Sequence, residues 1–254
     1  FGKVNLTHRP ELNTVDYPLL HQLYFGEEGL SSTGVWLSVI GAPLGFFQEV
    51  SLLATNGAGE HAHAEEEHAE EEEEEEEHAD EGKGLFDDLG DRLLVAHLKN
   101  FWTPSEATTF ELGGSWASSA EDEPERVRTT FYGVDATARW KPAAEGTYRS
   151  AILQAEAAWR DESGLAERRF AAFLFGQWQL SRRTYVGARY DYAEPPDAAE
   201  GALQGGQALL RYFPTEFSQL RLVYERQMPE EGDALDRLLF QTTFALGPHR
   251  PHAY

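Results

Sequence analysis

Through the middle of the chain, apolar and polar residues change places at every step. Phe110, Leu112, Gly114 and Trp116 alternate with Thr109, Glu111, Gly113 and Ser115. Tyr132, Val134, Ala136, Ala138 and Trp140 alternate with Gly133, Asp135, Thr137 and Arg139. Ala151, Leu153, Ala155, Ala157 and Trp159 follow against Gln154, Glu156 and Arg160, and Phe170, Ala172, Leu174, Gly176 and Trp178 close the set. A period of two predicts strands with one face in an apolar medium and the other in a polar one. Strands of about ten residues that begin or end in aromatic rings suit a tilted crossing of a bilayer, rings at headgroup level.

The same alternation predicts strands on either side. Val35, Leu37 and Val39 give one, Phe46 to about Thr55 the next, and Leu94, Ala96, Leu98 and Trp102 a third, with His97 and Lys99 on its other face. Further on come Tyr185 to Tyr192, Ala208 to Tyr212, Leu220 to Tyr224 and Leu238 to Leu246. With Phe1 to Thr7 read as the end of a strand, the expected number is twelve. The connections fall into two alternating classes. Pro43 to Gly45, Thr103 to Glu106, Pro142 to Gly146, Ser181 to Arg183 and Pro214 to Glu216 are short; proline presets φ in such turns and cannot continue a ladder. His8 to about Thr33, the acidic stretch after Asn56, Glu121 to Glu125, Asp161 to Glu167, Glu194 to Gly201 and Pro229 to Asp233 are long and polar. Short turns at one end and long loops at the other are the asymmetry of outer-membrane barrels. The fold expected is therefore all-β: an antiparallel transmembrane β-barrel of porin type, one domain over residues 1–254.

Composition narrows the alternatives. No run approaches the ~20 apolar residues of a transmembrane helix, and there is no cysteine for a disulfide or a thiolate metal site. The net charge is −23, and fourteen carboxylates between Glu60 and Glu81, with no Lys or Arg among them, account for all but −9 of it. Without a basic footprint, no nucleic-acid partner is expected. Phe1 opens the chain with no export signal, which reads as a mature fragment.

Phe1-Gly2-Lys3, His8, Asp16-Tyr17-Pro18 and Phe25-Gly26-Glu27-Glu28-Gly29-Leu30, together with Leu246-Gly247-Pro248-His249 and the terminal Tyr254, resemble a family of porin-like bacterial outer-membrane proteins, some of them described as zinc-regulated. The resemblance implies an outer-membrane location, with lipid around the barrel and the assembly machinery recognising the last strand. It also implies that this chain is part of a barrel of about sixteen strands, as porins have, lacking roughly the first four. It puts Glu27 and Glu28 in an outer loop that caps a short helix or folds into the pore.

Two sets of residues carry candidate chemistry. The first is His61, His63, His68 and His78 with Glu65, Glu66 and Glu67, inside a loop over 57–91 expected to be disordered. Imidazole and carboxylate are ligands for zinc, copper or nickel, so divalent-metal capture stands beside a plain solvated polyanion; no cofactor is required. The second set shares the polar phase of the strands: Lys99, Arg139, Arg160, Arg189, Arg211 and Arg221 with Glu111, Asp135, Glu156, Asp191 and Glu225. Charges of both signs facing a lumen can line a water-filled pore, or pair with one another and fill it. His8, His21 and His97 lie in no nucleophile motif, and no Gly-x-Ser-x-Gly is present, so no enzyme is expected. The expected function is passive passage of small solutes or ions, with metal captured at the acidic loop. The alternatives are a non-conducting barrel for metal binding or surface adhesion and, more remotely, a soluble β-sandwich.

Overall fold

A computed structural model describes residues 1–7, 12–26, 29–30, 33–55, 92–120, 128–163, 167–197 and 201–244. Its strands are β1 (Gly34–Gly41), β2 (Phe47–Thr55), β3 (Arg92–Ser105), β4 (Thr108–Ala120), β5 (Thr129–Trp140), β6 (Ala151–Glu162), β7 (Arg169–Ser181), β8 (Thr184–Ala193), β9 (Leu203–Thr215), β10 (Ser218–Pro229) and β11 (Leu235–Phe244). Each pairs antiparallel with the next in one eleven-stranded sheet, in chain order. The sheet is open: β1 and β11 are its two edges. Among the described residues no helix is long and apolar enough to cross a membrane, which says nothing of strands.

In a meander, successive connections alternate between the two ends of the sheet, so the expected segregation of short turns from long loops follows from the strand order. The short turns are tighter than expected. Pro104 and Pro214 belong to the ends of β3 and β9, and the residues left between strands are Glu106–Ala107 and Glu216–Phe217. Regular pairing of β3 with β4 breaks between Trp102 and Ser105, so Pro104 sits where its missing N–H removes no ladder bond. Two more register shifts, at Gln179/Ser181 and Ser218/Leu220, lie at the same end, as bulges do where a strand bends into a turn.

The two faces match the alternation. Leu112, Val134, Leu153 and Leu174 are all on one face and all exposed. Trp159 and Trp178 stand on it too, and Trp178 stacks on Trp140 at 5.5 Å and 16°. An uncovered apolar face of this extent is foreign to a water-soluble monomer. The opposite, inner face is covered by the chain's own start. Phe1, Val4, Leu12, Tyr17, Leu19, Leu20 and Tyr24 are buried there, and Phe173, Phe175, Leu209 and Val223 meet them from the sheet.

Here the sequence expectation is corrected. Phe1 to Thr7 is no strand; Val4–Leu6 is a single 3-10 turn, so the sheet has eleven strands rather than twelve, and its first edge is β1. The buried residues Phe1 and Val4 are three apart, the spacing of one turn's face rather than of a strand. Gly2 at φ +62° turns the chain, and a side chain there would collide with the Glu156 carboxylate. Gly133 makes room on the sheet: a Cβ would meet the Phe1 ring at 2.5 Å. The long connection read over His8 to Thr33 is, in its described part, a segment laid on the inner face that carries α1 (Leu19–Phe25), not an outer loop. Pro18 sits just before α1, where a missing N–H is tolerated, and Gly26 at φ +82° ends it.

Candidate functional site

All eleven charged residues expected to line a pore share the inner face, and the pairing shows how. Lys99, Gly113, Asp135, Glu156, Phe173 and Asp191 are register partners in one row from β3 to β8. Glu111, Thr137, Gln154, Phe175, Arg189, Gln207 and Glu225 form the adjacent row from β4 to β10. Arg139 opposes Ile152, Arg160 opposes Arg169, and Arg211 opposes Arg221. What the sequence did not reveal is that much of this lining is already engaged by residues 1–7 and 12–26.

The densest engagement surrounds Arg189. Its Nε donates to Asp191 Oδ2 at 2.7 Å, and one terminal nitrogen donates to Thr14 Oγ1 at 2.8 Å and to the Asp16 carbonyl at 3.0 Å. Asp191 Oδ1 accepts from the Leu19 backbone N–H at 3.1 Å, near the start of α1. Arg221 donates to the Thr14 carbonyl at 2.8 Å, and Gln207 to Asp16 Oδ1 at 3.0 Å. Arg237 lies 2.7 Å from Glu225 and 3.8 Å from Asp16. Arg189, Asp191, Arg221 and Glu225 are almost fully buried. Buried charges survive only when paired and hydrogen-bonded, so residues 14–19 supply part of what makes this charge set tolerable.

A second cluster lies toward β4 to β6. The Lys3 ammonium is 2.5 Å from Glu111, which also lies 3.5 Å from Lys99. Burial lowers the Lys3 ammonium from its ordinary value, against the pull of Glu111. His21 is wholly buried, with Nε2 3.2 Å from Glu156 Oε1; the approach is within ion-pair range but out of line for a hydrogen bond. The imidazole is packed between Tyr17, Phe25 and Phe173.

His97 Nε2 lies 3.3 Å from Asp135 Oδ2, and Ser115 is its register partner on β4. These are the residue types of a hydrolytic triad, but triads are recognised by geometry. Ser115 Oγ accepts the Gly2 backbone N–H at 2.9 Å, beneath the covering segment, which argues for a structural role. No group of three or more His, Asp or Glu placed to hold a metal occurs among the described residues. His61, His63, His68, His78, Glu65, Glu66 and Glu67 lie outside the described residues, as do Glu27 and Glu28.

Comparison with protein-family models, curated proteins and solved structures finds no match. The resemblance to porin-like proteins therefore rests on the motifs that carry it. Sequence reasoning missed Thr14 altogether and gave Asp16, Tyr17 and His21 no partner. Asp16-Tyr17-Pro18 entered it only through the resemblance, because no local pattern names a partner some 170 residues away.

Proposed function

We propose that this chain forms the wall of an outer-membrane β-barrel of porin type, with its apolar face against lipid. The covering segment, residues 1–7 and 12–26, narrows the lumen through which small solutes or ions pass. The observation that supports this most is the division of one continuous sheet into an uncovered apolar face ringed by Trp140, Trp159 and Trp178, and an opposite face carrying charges of both signs. Lipid covers an apolar band of that kind at no cost in hydrogen bonds, because every interior strand has its backbone paired. The acidic stretch joins β2 to β3 at the long-loop end, where its imidazoles and carboxylates would gather zinc or other divalent cations ahead of the lumen. The last strand would be the element that the assembly machinery recognises.

One observation favours a non-conducting barrel used for metal binding or adhesion instead: the inner face is occupied from β4 to β10. Single-channel recording in planar bilayers separates the two. The channel reading expects small conductance steps from the unaltered protein, and larger ones from an Arg189→Ala, Asp191→Ala double variant, which removes both members of the buried pair without stranding either charge. Silence from both proteins refutes the channel and leaves the closed barrel. For the metal, changing His61, His63, His68 and His78 to Ala should abolish preference for zinc over calcium; unchanged zinc binding would reduce the loop to a polyanion.

A further inference from the structure

We propose that the outer face carries a site for one anionic diacyl phospholipid, with acyl chain in a groove beside Trp140 and Trp178 and phosphate on the basic turns just beyond them. Such a site rests on the reading that this face meets lipid, and adds which lipid is held and where.

Trp140, Ala151 and Trp178 are register partners on β5, β6 and β7. Strands two apart lie roughly 9.6 Å from each other, yet the two indole rings stack at 5.5 Å and 16°. They lean together over Ala151, whose single methyl leaves them the space. The next outward-facing row toward the middle of the sheet is Ala138, Leu153, Gly176 and Ala188. Three of these four project little from the backbone, and beside the tall indoles they leave a groove of about 560 Å³ along the wall. That is within the size range of small-molecule sites, and its apolar floor suits an acyl chain.

The charges at the rim select the headgroup. All five short turns are among the described residues. The two that border the groove, β5–β6 and β7–β8, carry Lys141, Arg149, Arg182 and Arg183, all exposed, against one carboxylate, Glu145, which lies 3.3 Å from Arg149. The β3–β4 and β9–β10 turns carry Glu106 and Glu216 instead, and the β1–β2 turn carries no charge. Among the turns, positive charge is thus confined to the two at the mouth of the groove. Lys141 directly follows Trp140, and the Arg182-Arg183 turn begins four residues after Trp178. With the rings at headgroup level, these long cationic side chains reach the plane of the lipid phosphates. A phosphate with an uncharged alcohol keeps its full attraction there, whereas a choline headgroup brings a cation of its own to the same turns. A second copy of the chain fits less well, because a two-fold contact on this face would set the arginine turns against each other.

The full chain, folded in micelles of an uncharged detergent, is titrated with phosphatidylglycerol and separately with phosphatidylcholine, each brominated on its acyl chains, and quenching of tryptophan fluorescence is read. Phosphatidylglycerol is expected to reach half-quenching at a mole fraction about tenfold below that of phosphatidylcholine, the scale of one or two interfacial cations. Arg182→Gln combined with Arg183→Gln should cut that preference to about twofold and leave phosphatidylcholine unchanged. Gly176→Leu fills the groove; the nearest atom that a Cβ there would meet is Leu153 Cδ1 at 3.8 Å, so the strand accepts it, and phosphatidylglycerol should bind about tenfold more weakly. Arg168→Gln is the control: that residue is exposed, paired with Asp161 at the long-loop end, and should change the half-point less than twofold. Equal half-points for the two lipids on the unaltered protein, or equal losses in Arg168→Gln and the double variant, overturn the site and leave the apolar face against lipid. Quenching by neither lipid overturns the lipid-facing reading itself. A dimer that Gly176→Leu dissociates assigns the groove to a second copy and also overturns the lipid site.

Discussion

The middle of the sheet and its edges are built from similar strands, yet they end in different situations. On β7, Phe173 and Phe175 face inward and are 4% and 2% exposed, because the first residues of the chain lie over them. On β1, every residue is exposed. Val35, Leu37 and Val39 face outward, but Trp36 and Ile40 point inward and are just as bare, at 59% and 65%. On β11, Leu238 and Phe240 share the outer face with Tyr224 and Leu222 and are 71% and 67% exposed, more than Leu153 and Leu174 in the middle of that face. The contacts of the covering segment run from Leu53, Leu93 and Val95 on β2 and β3 to Arg237 on β11, and they leave Trp36 and Ile40 on the inner face of β1 bare. The first edge thus carries apolar side chains and unpaired backbone, a combination that proteins ordinarily cover or blunt. What distinguishes β1 from the middle of the inner face is the contact made by the covering segment, not strand propensity.

The sharpest way to break that contrast is at Arg189. Arg189→Ala leaves Asp191 buried without its cation and frees the acceptors on Thr14 and Asp16. Loss of one partner of a buried pair costs about 3–5 kcal/mol. Denaturant unfolding in detergent should show that loss, and limited chymotrypsin digestion should show Leu19, Leu20, Tyr24 and Phe25 opened to cleavage while the strands stay protected. Unchanged protection of the segment would mean that its apolar contacts alone hold it. A smaller effect compares middle with edge directly. Phe175→Ala removes a ring packed under the segment and should cost about 3–4 kcal/mol, whereas Ile40→Ala on the bare inner face of β1 should stay within about 0.5 kcal/mol in detergent. Equal losses would erase the distinction between the regions.

The smallest effect is a pH dependence. Burial raises Tyr24 above its ordinary value, and Glu194 adds to the shift. Its folded value therefore exceeds its unfolded one, near ~10. The contribution is complete below that pH and is lost as pH rises through the folded value. Ultraviolet titration of the ten tyrosines should show one phenol ionising after the rest, together with loosening of the segment. A single sharp transition for all ten would refute the burial.

Much of the wall was legible because its signal is local. Alternation from Phe110 to Trp178 assigned each strand and the phase of each charged residue, and the polar spacers assigned the loops. The contents were not legible. Phe173 and Phe175 break the polar phase of β7, a sign in retrospect that something apolar lies against it. Phe1 to Thr7 misled because seven residues cannot separate a strand from a turn by period alone. The metal-ligand set is outside the described residues, so the structure adds nothing to what its composition implies.

The meander also dictates an order of events. Each strand needs only its neighbour in the chain, so hairpins can be added one after another at low loop-closure cost. Residues 14–19 are different: their partners Arg189, Asp191, Gln207 and Arg221 lie 172 to 207 residues downstream. Residues 14–19 are therefore synthesised before every strand they meet and can be seated only after β8, β9 and β10 are in register. Until then Leu19, Leu20 and Tyr24 have nowhere to go, and the interval before β10 forms is when a holding chaperone would matter most to this protein.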